Sequence, residues 1–270
     1  YGEVDFQWGD NSYATARNDG GAIGADTVNF ETKNAYIDVK FQEDVTARFG
    51  LQGFYDRQDQ VFFAADMAGA KVDFKAGDIG LTAAMFNLIE GDFSGGNNAF
   101  EESDNVYLWA LQADFPSQGD LKLGADYYFF QNRGPAGYAN FIGTVDIDEV
   151  LFNGGPTASR GDMDLHYLGL QGDLKVSDAT SVNGWLLYNT GTVDFDPTTE
   201  VDVAGYAASV RGKFKLGDAD AAARVFFFSG DDDLSDGDAD FMVNPLATES
   251  YAFGDDGFMI FFQDANWANV

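Results

Sequence analysis

Residues Val45 to Asp56 read "VTARFGLQGFYD". Val45, Ala47, Phe49, Leu51, Gly53 and Tyr55 alternate with Thr46, Arg48, Gly50, Gln52, Phe54 and Asp56. Side chains along a strand point to opposite faces in turn. This period of two therefore predicts a strand with one apolar face and one face carrying a cation, an amide and an acid. Two environments reward such a strand. In a soluble sandwich the polar face meets water and the apolar face a second sheet; in an outer-membrane barrel the apolar face meets lipid and the polar face a wet lumen.

The remainder of the chain repeats the unit. Strands are predicted over Tyr1–Trp8, Val28–Gln42, Val45–Asp56, Ala70–Lys75, Ile79–Leu88, Val106–Phe115, Leu121–Gln131, Leu165–Leu174, Val182–Asn189, Val203–Lys215 and Ala221–Ser229. Five links between them are short: Glu43-Asp44, Ala76-Gly77-Asp78, "PSQGD", "KVSDAT" and "LGDAD". Tight links of this kind make hairpins. The links between the hairpins are long: Asp10–Thr27, Ile89–Asp104, Asn132–Asp162, Thr190–Asp202 and Gly230–Asp256, with Asp56–Phe62 the short exception. Short and long connections thus alternate along the chain, as the short periplasmic turns and long extracellular loops of a barrel do. The expected fold is an all-β, antiparallel transmembrane β-barrel of the outer-membrane porin type. It has at least 11–12 strands here, in one domain over residues 1–270. Ala47, Phe49, Leu51 and Tyr55 are expected to face lipid, and Arg48 and Gln52 the lumen.

Bulk composition agrees with a barrel and excludes other classes. Mean hydropathy is -0.22, and no stretch approaches the roughly 18 consecutive apolar residues of a spanning helix. Cysteine is absent, which removes disulfide frameworks and thiolate metal sites. The formal net charge of -30 excludes nucleic acid as a partner, because a phosphate backbone needs a positive surface. A hydrophobic share of 45% provides enough apolar surface to order the chain despite that charge. More than half of the 45 acids fall in the five long links, so an acidic rim is expected. Such a rim binds the divalent cations that bridge lipopolysaccharide phosphates.

The strand bases fall on the polar face. Lys40, Arg48, Lys71, Lys75, Lys122, Arg211, Lys213 and Arg224, with Gln52 and the acids Asp38, Asp73, Asp126 and Asp173, are expected to line a pore and set its ion preference. In "GDDDLSDGDAD", Asp231, Asp232, Asp233, Asp236, Asp238 and Asp240 form a candidate Ca²⁺ ligand set. The spacing departs from an EF-hand, and a solvated acidic loop is the competing reading. No other cofactor is expected. His166 is the single histidine and no G-x-S-x-G elbow is present, so catalysis is not expected and His166 reads as structural. The runs Tyr127–Phe130, Phe226–Phe228 and Phe261-Phe262 are expected in an aromatic girdle. Phe258–Phe262 is apolar on both faces, and part of Asn244–Phe262 is expected to fold inward and narrow the channel.

"DLHYLGLQGDLKVSDATSVNGWLLYNTG" (Asp164–Gly191) and "ARVFFFSGDDDLSDGDADFMVNPL" (Ala223–Leu246) resemble the late hairpins of alginate-export-type outer-membrane porins, in which a strand ends in an acidic SGD-rich loop. The resemblance implies a barrel of 16–18 strands, of which this chain is a part, behind a signal peptide that the sequence starting at Tyr1 does not show. The function expected is a channel in the bacterial outer membrane for small hydrophilic solutes or ions. The alternatives are a structural or interaction barrel with Ca²⁺-binding loops and a polysaccharide-export channel. Lipid and lipopolysaccharide are the expected surroundings, and a homotrimer is the assembly considered.

Overall fold

The computed structural model describes residues 2–7, 29–89, 106–133, 162–196, 199–230, 238–240 and 242–243. Every regular element in them is a strand: β1 (Gly2–Gln7), β2 (Asn29–Gln42), β3 (Val45–Tyr55), β4 (Ala64–Ala76), β5 (Ile79–Ile89), β6 (Val106–Asp114), β7 (Leu121–Asn132), β8 (Asp162–Ser177), β9 (Thr180–Asp196), β10 (Thr199–Leu216), β11 (Ala219–Phe228) and the two-residue β12 (Asp238–Ala239). Strands β1 to β11 form one antiparallel meander in chain order, and β12 adds a short parallel pairing to β10. Among the described residues β1 and β11 are its edges, so the sheet is open.

Hairpin chemistry fixes one end of this sheet. The two-residue links after β4 and β10 are Gly77-Asp78 and Gly217-Asp218, with the glycines at φ 65° and 67°. Such positive φ values are what tight hairpins ask of their first turn residue. The opposite end departs from the sequence reading in one place. Thr190–Asp202 is not a long loop: β9 runs to Asp196, β10 starts at Thr199, and the ladder between them continues through Val193↔Val201. The β-branched residues Thr190, Thr192, Val193, Thr199, Val201 and Val203 favour this extension, and their acidic neighbours hid it.

Cross-strand partners share a face, so the register sorts side chains without ambiguity. One row passes Asp38, Arg48, Lys71, Ala84, Ala110, Tyr128, Tyr167 and Asn189. The next row, on the opposite face, passes Ile37, Phe49, Ala70, Met85, Trp109, Phe129, His166 and Thr190. The first face carries the core cluster and is the inner face; the second exposes Ile37, Phe49, Leu111, Leu123, Leu168, Leu170, Leu174, Leu186, Val210 and Val225. The expected orientation of β3 holds, with Phe49 and Tyr55 outward and Arg48 and Gln52 inward.

The aromatic runs divide between the faces. Tyr128 and Phe130 are fully buried on the inner face, whereas Tyr127 and Phe129 lie outside. Phe226 packs against the inner core and Phe227 is 52% exposed. An alternating backbone cannot put four consecutive rings on one side, so only Tyr127, Phe129 and Phe227 of these two runs face outward, and Phe261-Phe262 lies outside the described residues. On the outer face Tyr107, Trp109, Phe129 and His166 form a continuous stack with ring centroids 5.4, 5.1 and 4.6 Å apart.

Gly50 sits at φ 124°, and a Cβ there would lie 2.2 Å from the carbonyl oxygen of Ala35 on the paired strand. Gly77 has open space around it. Gly50→Ala is expected to cost more than about 3 kcal/mol in urea unfolding of the refolded protein and Gly77→Ala about 1 kcal/mol; equal losses would contradict the close approach at Gly50.

Candidate functional site

The link between β3 and β4 is the feature that organises the inner face. Sequence reading treated Asp56–Phe62 as a short exterior link. In the structure residues 56–63 lie across the inner face, because Val61, Phe62 and Phe63 would otherwise be left in water and are instead 4%, 0% and 0% exposed. Phe63 packs on Tyr128 and edge-on to Tyr167, with centroids 5.0 and 5.2 Å apart. Phe62 meets Trp185 edge-on at 6.2 Å, and Phe54 meets Phe86 at 5.0 Å. The loop's rings thus join β7, β8 and β9, and Phe54 of β3 extends the same aromatic layer to β5.

The loop is held in shape by Asp56. Its Oδ1 accepts the backbone N–H groups of Gln58 and Gln60 at 2.8 and 2.9 Å, and its Oδ2 those of Phe62 and Phe63 at 2.7 and 2.6 Å. One buried carboxylate therefore satisfies four main-chain donors that would otherwise be stranded under the aromatic layer. Burial pushes the Asp56 carboxyl up to about 6, and the four N–H groups pull against that rise.

Beyond Asp56 the loop carries charge toward the sheet. Arg57 makes a two-pronged pair with Asp114 at 2.8 and 3.0 Å and lies 3.7 Å from the fully buried Asp126. The Gln58 amide donates to Asp126 Oδ2 at 2.8 Å and lies 3.2 Å from the Gln171 amide oxygen. Asp59 accepts from the Trp185 indole N–H at 2.5 Å and from Arg224 at 3.1 Å. Gly169 lies beneath: a Cβ there would come within 2.9 Å of Gln58 Nε2.

All thirteen residues expected to line a pore stand on this inner face, but in unlike surroundings. Arg48 is paired to Asp38 by two bonds of 2.7 and 3.0 Å and lies over the Tyr36 ring, and Lys71 is 3.2 Å from Asp73. Lys40, Lys75, Lys122, Asp173 and Lys213 are exposed toward the short-turn end. Gln52, Asp126 and Arg211 are buried, and Arg224 is engaged by the loop. Sequence reasoning missed Asp56, Arg57, Gln58 and Asp59. Its available signal was the run "VFF" in a link too short to bury it by itself.

The remaining candidates separate. Asp231, Asp232, Asp233 and Asp236, and the segment Asn244–Phe262, lie outside the described residues. Asp238 starts β12, Asp240 follows it, and no metal-ligating group of three is present among the described residues. Val243 nearby is buried in the core, with its carbonyl accepting the Tyr167 hydroxyl at 3.1 Å. His166 stands on the outer face, its Nδ1 2.7 Å from the Tyr127 hydroxyl.

No family model matches the sequence, and no curated protein matches it. Among solved structures the chain is similar to OmpT, an outer membrane protein of Vibrio cholerae, at 13% identity and a TM-score of 0.42, over 85% of this chain and 66% of that one. A loop L8 deletion mutant of OmpT is similar at 13% identity and 0.39, over 74% of each chain. OmpT in its trimer form gives 12% identity and 0.37, over 80% and 78%. The chain thus spans just under two thirds of the first of these proteins.

Asp56→Ala leaves the four N–H groups without their acceptor, and the loop is expected to open. Trypsin should then cut after Arg57 roughly tenfold or more faster than in the unaltered protein, with the sheet's circular dichroism retained. An unchanged cutting rate would show that the apolar side chains suffice. The pH effect has a defined sign. A carboxyl raised from 3.8 to about 6 by folding binds its proton more tightly in the closed loop than in the released one. Closure is therefore strongest below about pH 4, weakens as pH rises through about 6, and is flat above. Protection of the Phe62 and Phe63 amides from hydrogen exchange, corrected for the intrinsic rate, should fall across that window.

Proposed function

We propose that the sheet is the wall of a bacterial outer-membrane β-barrel whose inner face bounds a passage for small hydrophilic solutes or ions, narrowed by residues 56–63. The carrying observation is the contrast between the two faces. Outward, exposed leucine, valine and phenylalanine cover strand after strand, which water does not reward and lipid does. Along β8 the outward band runs from His166 to Val176, about 33 Å of strand at roughly 3.3 Å per residue, or about 25 Å of height at a tilt near 40°. That height matches the apolar band of a barrel, with the Tyr107–Trp109–Phe129–His166 stack at the level of its girdle. Inward, Lys40, Arg48, Lys71, Lys75, Lys122 and Lys213 face Asp38, Asp73 and Asp173, a lining that conducts ions and discriminates by charge.

One observation supports a second reading. The inner face under the loop is packed with buried apolar side chains from β5 to β10, and a filled lumen suits a barrel that serves structure or interaction. Lipid and lipopolysaccharide surround the wall in either case. A homotrimer, Ca²⁺ on the acidic segment and polysaccharide export are further proposals, the last carried by the resemblance of Asp164–Gly191 and Ala223–Leu246 alone. We assign no catalytic role, since the single histidine faces outward, away from the inner carboxylates.

Replacing residues 57–62 by a short Gly/Ser turn is expected to raise single-channel conductance in planar bilayers at least about twofold while the strands still form. A passage is ruled out if neither protein conducts. On the outer face, Leu170→Arg should cost roughly 2–4 kcal/mol in vesicle refolding, and Lys122→Gln on the inner face less than about 0.5 kcal/mol. Equal costs would remove the assignment of faces.

A further inference from the structure

The tip of the loop holds an arrangement that narrowing a passage does not require. Asp59 and Gln60 are consecutive non-glycine residues at φ 60° and 62°, a left-handed conformation that side chains enter at a cost. Asp59 is kept there by its carboxylate, one oxygen on the Trp185 indole N–H and the other on Arg224. Arg224 stands directly opposite Arg211 in the β10–β11 ladder, with its guanidinium over the Phe226 ring at 5.3 Å. Arg211 is 8% exposed and close enough to both Arg224 and Asp59 to feel their charges. Like charges opposed on one face of a sheet repel, and an anion between them relieves the repulsion. A guanidinium and an indole N–H on a carboxylate, with a second guanidinium on the next strand opposite the first, make the donor set of an oxyanion site. Here the oxyanion belongs to the chain itself, on a strained tip.

We propose that Trp185, Arg211 and Arg224 form a binding site for a small oxyanion, a solute carboxylate or phosphate, which Asp59 occupies as a built-in competitor. An incoming oxyanion exchanges with Asp59 without covalent change. One anionic group leaves the guanidinium groups as another arrives, and the freed tip relaxes toward ordinary φ values. Phosphate, with between one and two charges at neutral pH and several acceptor oxygens, satisfies two guanidinium groups better than the single aspartate carboxylate does. The site thereby couples occupancy by an anion to release of the loop across the inner face. The inference does not depend on a conducting lumen, because binding can be read without conductance.

Equilibrium dialysis of radiolabelled inorganic phosphate against the full chain folded in detergent, at constant ionic strength, tests it. Asp59→Asn removes the competing charge and is expected to bind phosphate about tenfold more tightly than the unaltered protein. Arg224→Gln in the Asp59→Asn background should abolish binding. In the unaltered protein, phosphate should also accelerate trypsin cleavage after Arg57, a readout that a merely structural Asp59 would not move. Equal affinities with and without Asp59, no phosphate bound by Asp59→Asn, or binding that survives Arg224→Gln would each overturn the proposal. Planar-bilayer conductance reports separately on the passage, so failure of one reading is distinguishable from failure of the other.

Discussion

The apolar middle of the inner face has to be covered, and most of the site follows from how it is covered. Phe54, Phe86, Leu108, Tyr128, Phe130, Leu165, Tyr167, Trp185 and Leu187 project from strands whose other face is equally apolar. A second sheet would solve this in a sandwich. Here eight loop residues, 56–63, are laid across it instead. Burying Val61, Phe62 and Phe63 is worth roughly 5–9 kcal/mol. Fixing eight backbone residues costs roughly 8–16 kcal/mol. Apolar burial alone therefore falls short, and the polar contacts of Asp56, Arg57, Gln58 and Asp59 decide whether the loop lies down.

Those polar contacts are not equal. The Asp114 partner of Arg57 is 65% exposed, so that ion pair is screened and contributes little beyond direction. Asp56 is buried with four main-chain donors, and hydrogen bonds to a charged group in such surroundings are the strong ones. Its cost is desolvation, which is why its proton affinity rises. The loop is thus closed by a group whose charge depends on conditions, against a binding surface of marginal net energy. Segments with that balance open locally without the sheet unfolding.

The period of two carried nearly all of the fold into view. Val45–Tyr55 assigned its own two faces correctly, and the hairpin links placed the turns, because both signals are local: alternation within a strand and glycine or aspartate at a tight turn. What stayed hidden depended on contacts distant in sequence. Thr190–Asp202 looked like loop because its acids outweighed its β-branched residues, although the partner strand lay only a turn away. Asp56 looked like one more surface acid, since nothing adjacent to it shows that the aromatic residues of β5, β7, β8 and β9 will enclose it. The inward segment expected in Asn244–Phe262 lies outside the described residues, and "VFF" after "DRQDQ" carries the same apolar signal in miniature.

Position explains why a loop so short can reach so far. It leaves β3, and its side chains meet β6 and β7 through Arg57, β7 and β8 through Gln58, and β9 and β11 through Asp59. Three consecutive residues cannot address five strands of a flat sheet equally, because neighbouring strands are about 4.8 Å apart. The strands must curl toward the loop, as the right-handed twist of a long meander makes them do. Gly169 lies on the inner face directly under Gln58, and Ala110 and Ala207 are small buried residues of the same face, so the curl is not blocked by bulk there. The loop and the curvature are therefore one constraint seen twice. A sheet that curls enough to be bridged by Arg57, Gln58 and Asp59 has brought strands β6 to β11 around the loop, and the residues that hold the bridge are the ones that hold that curvature.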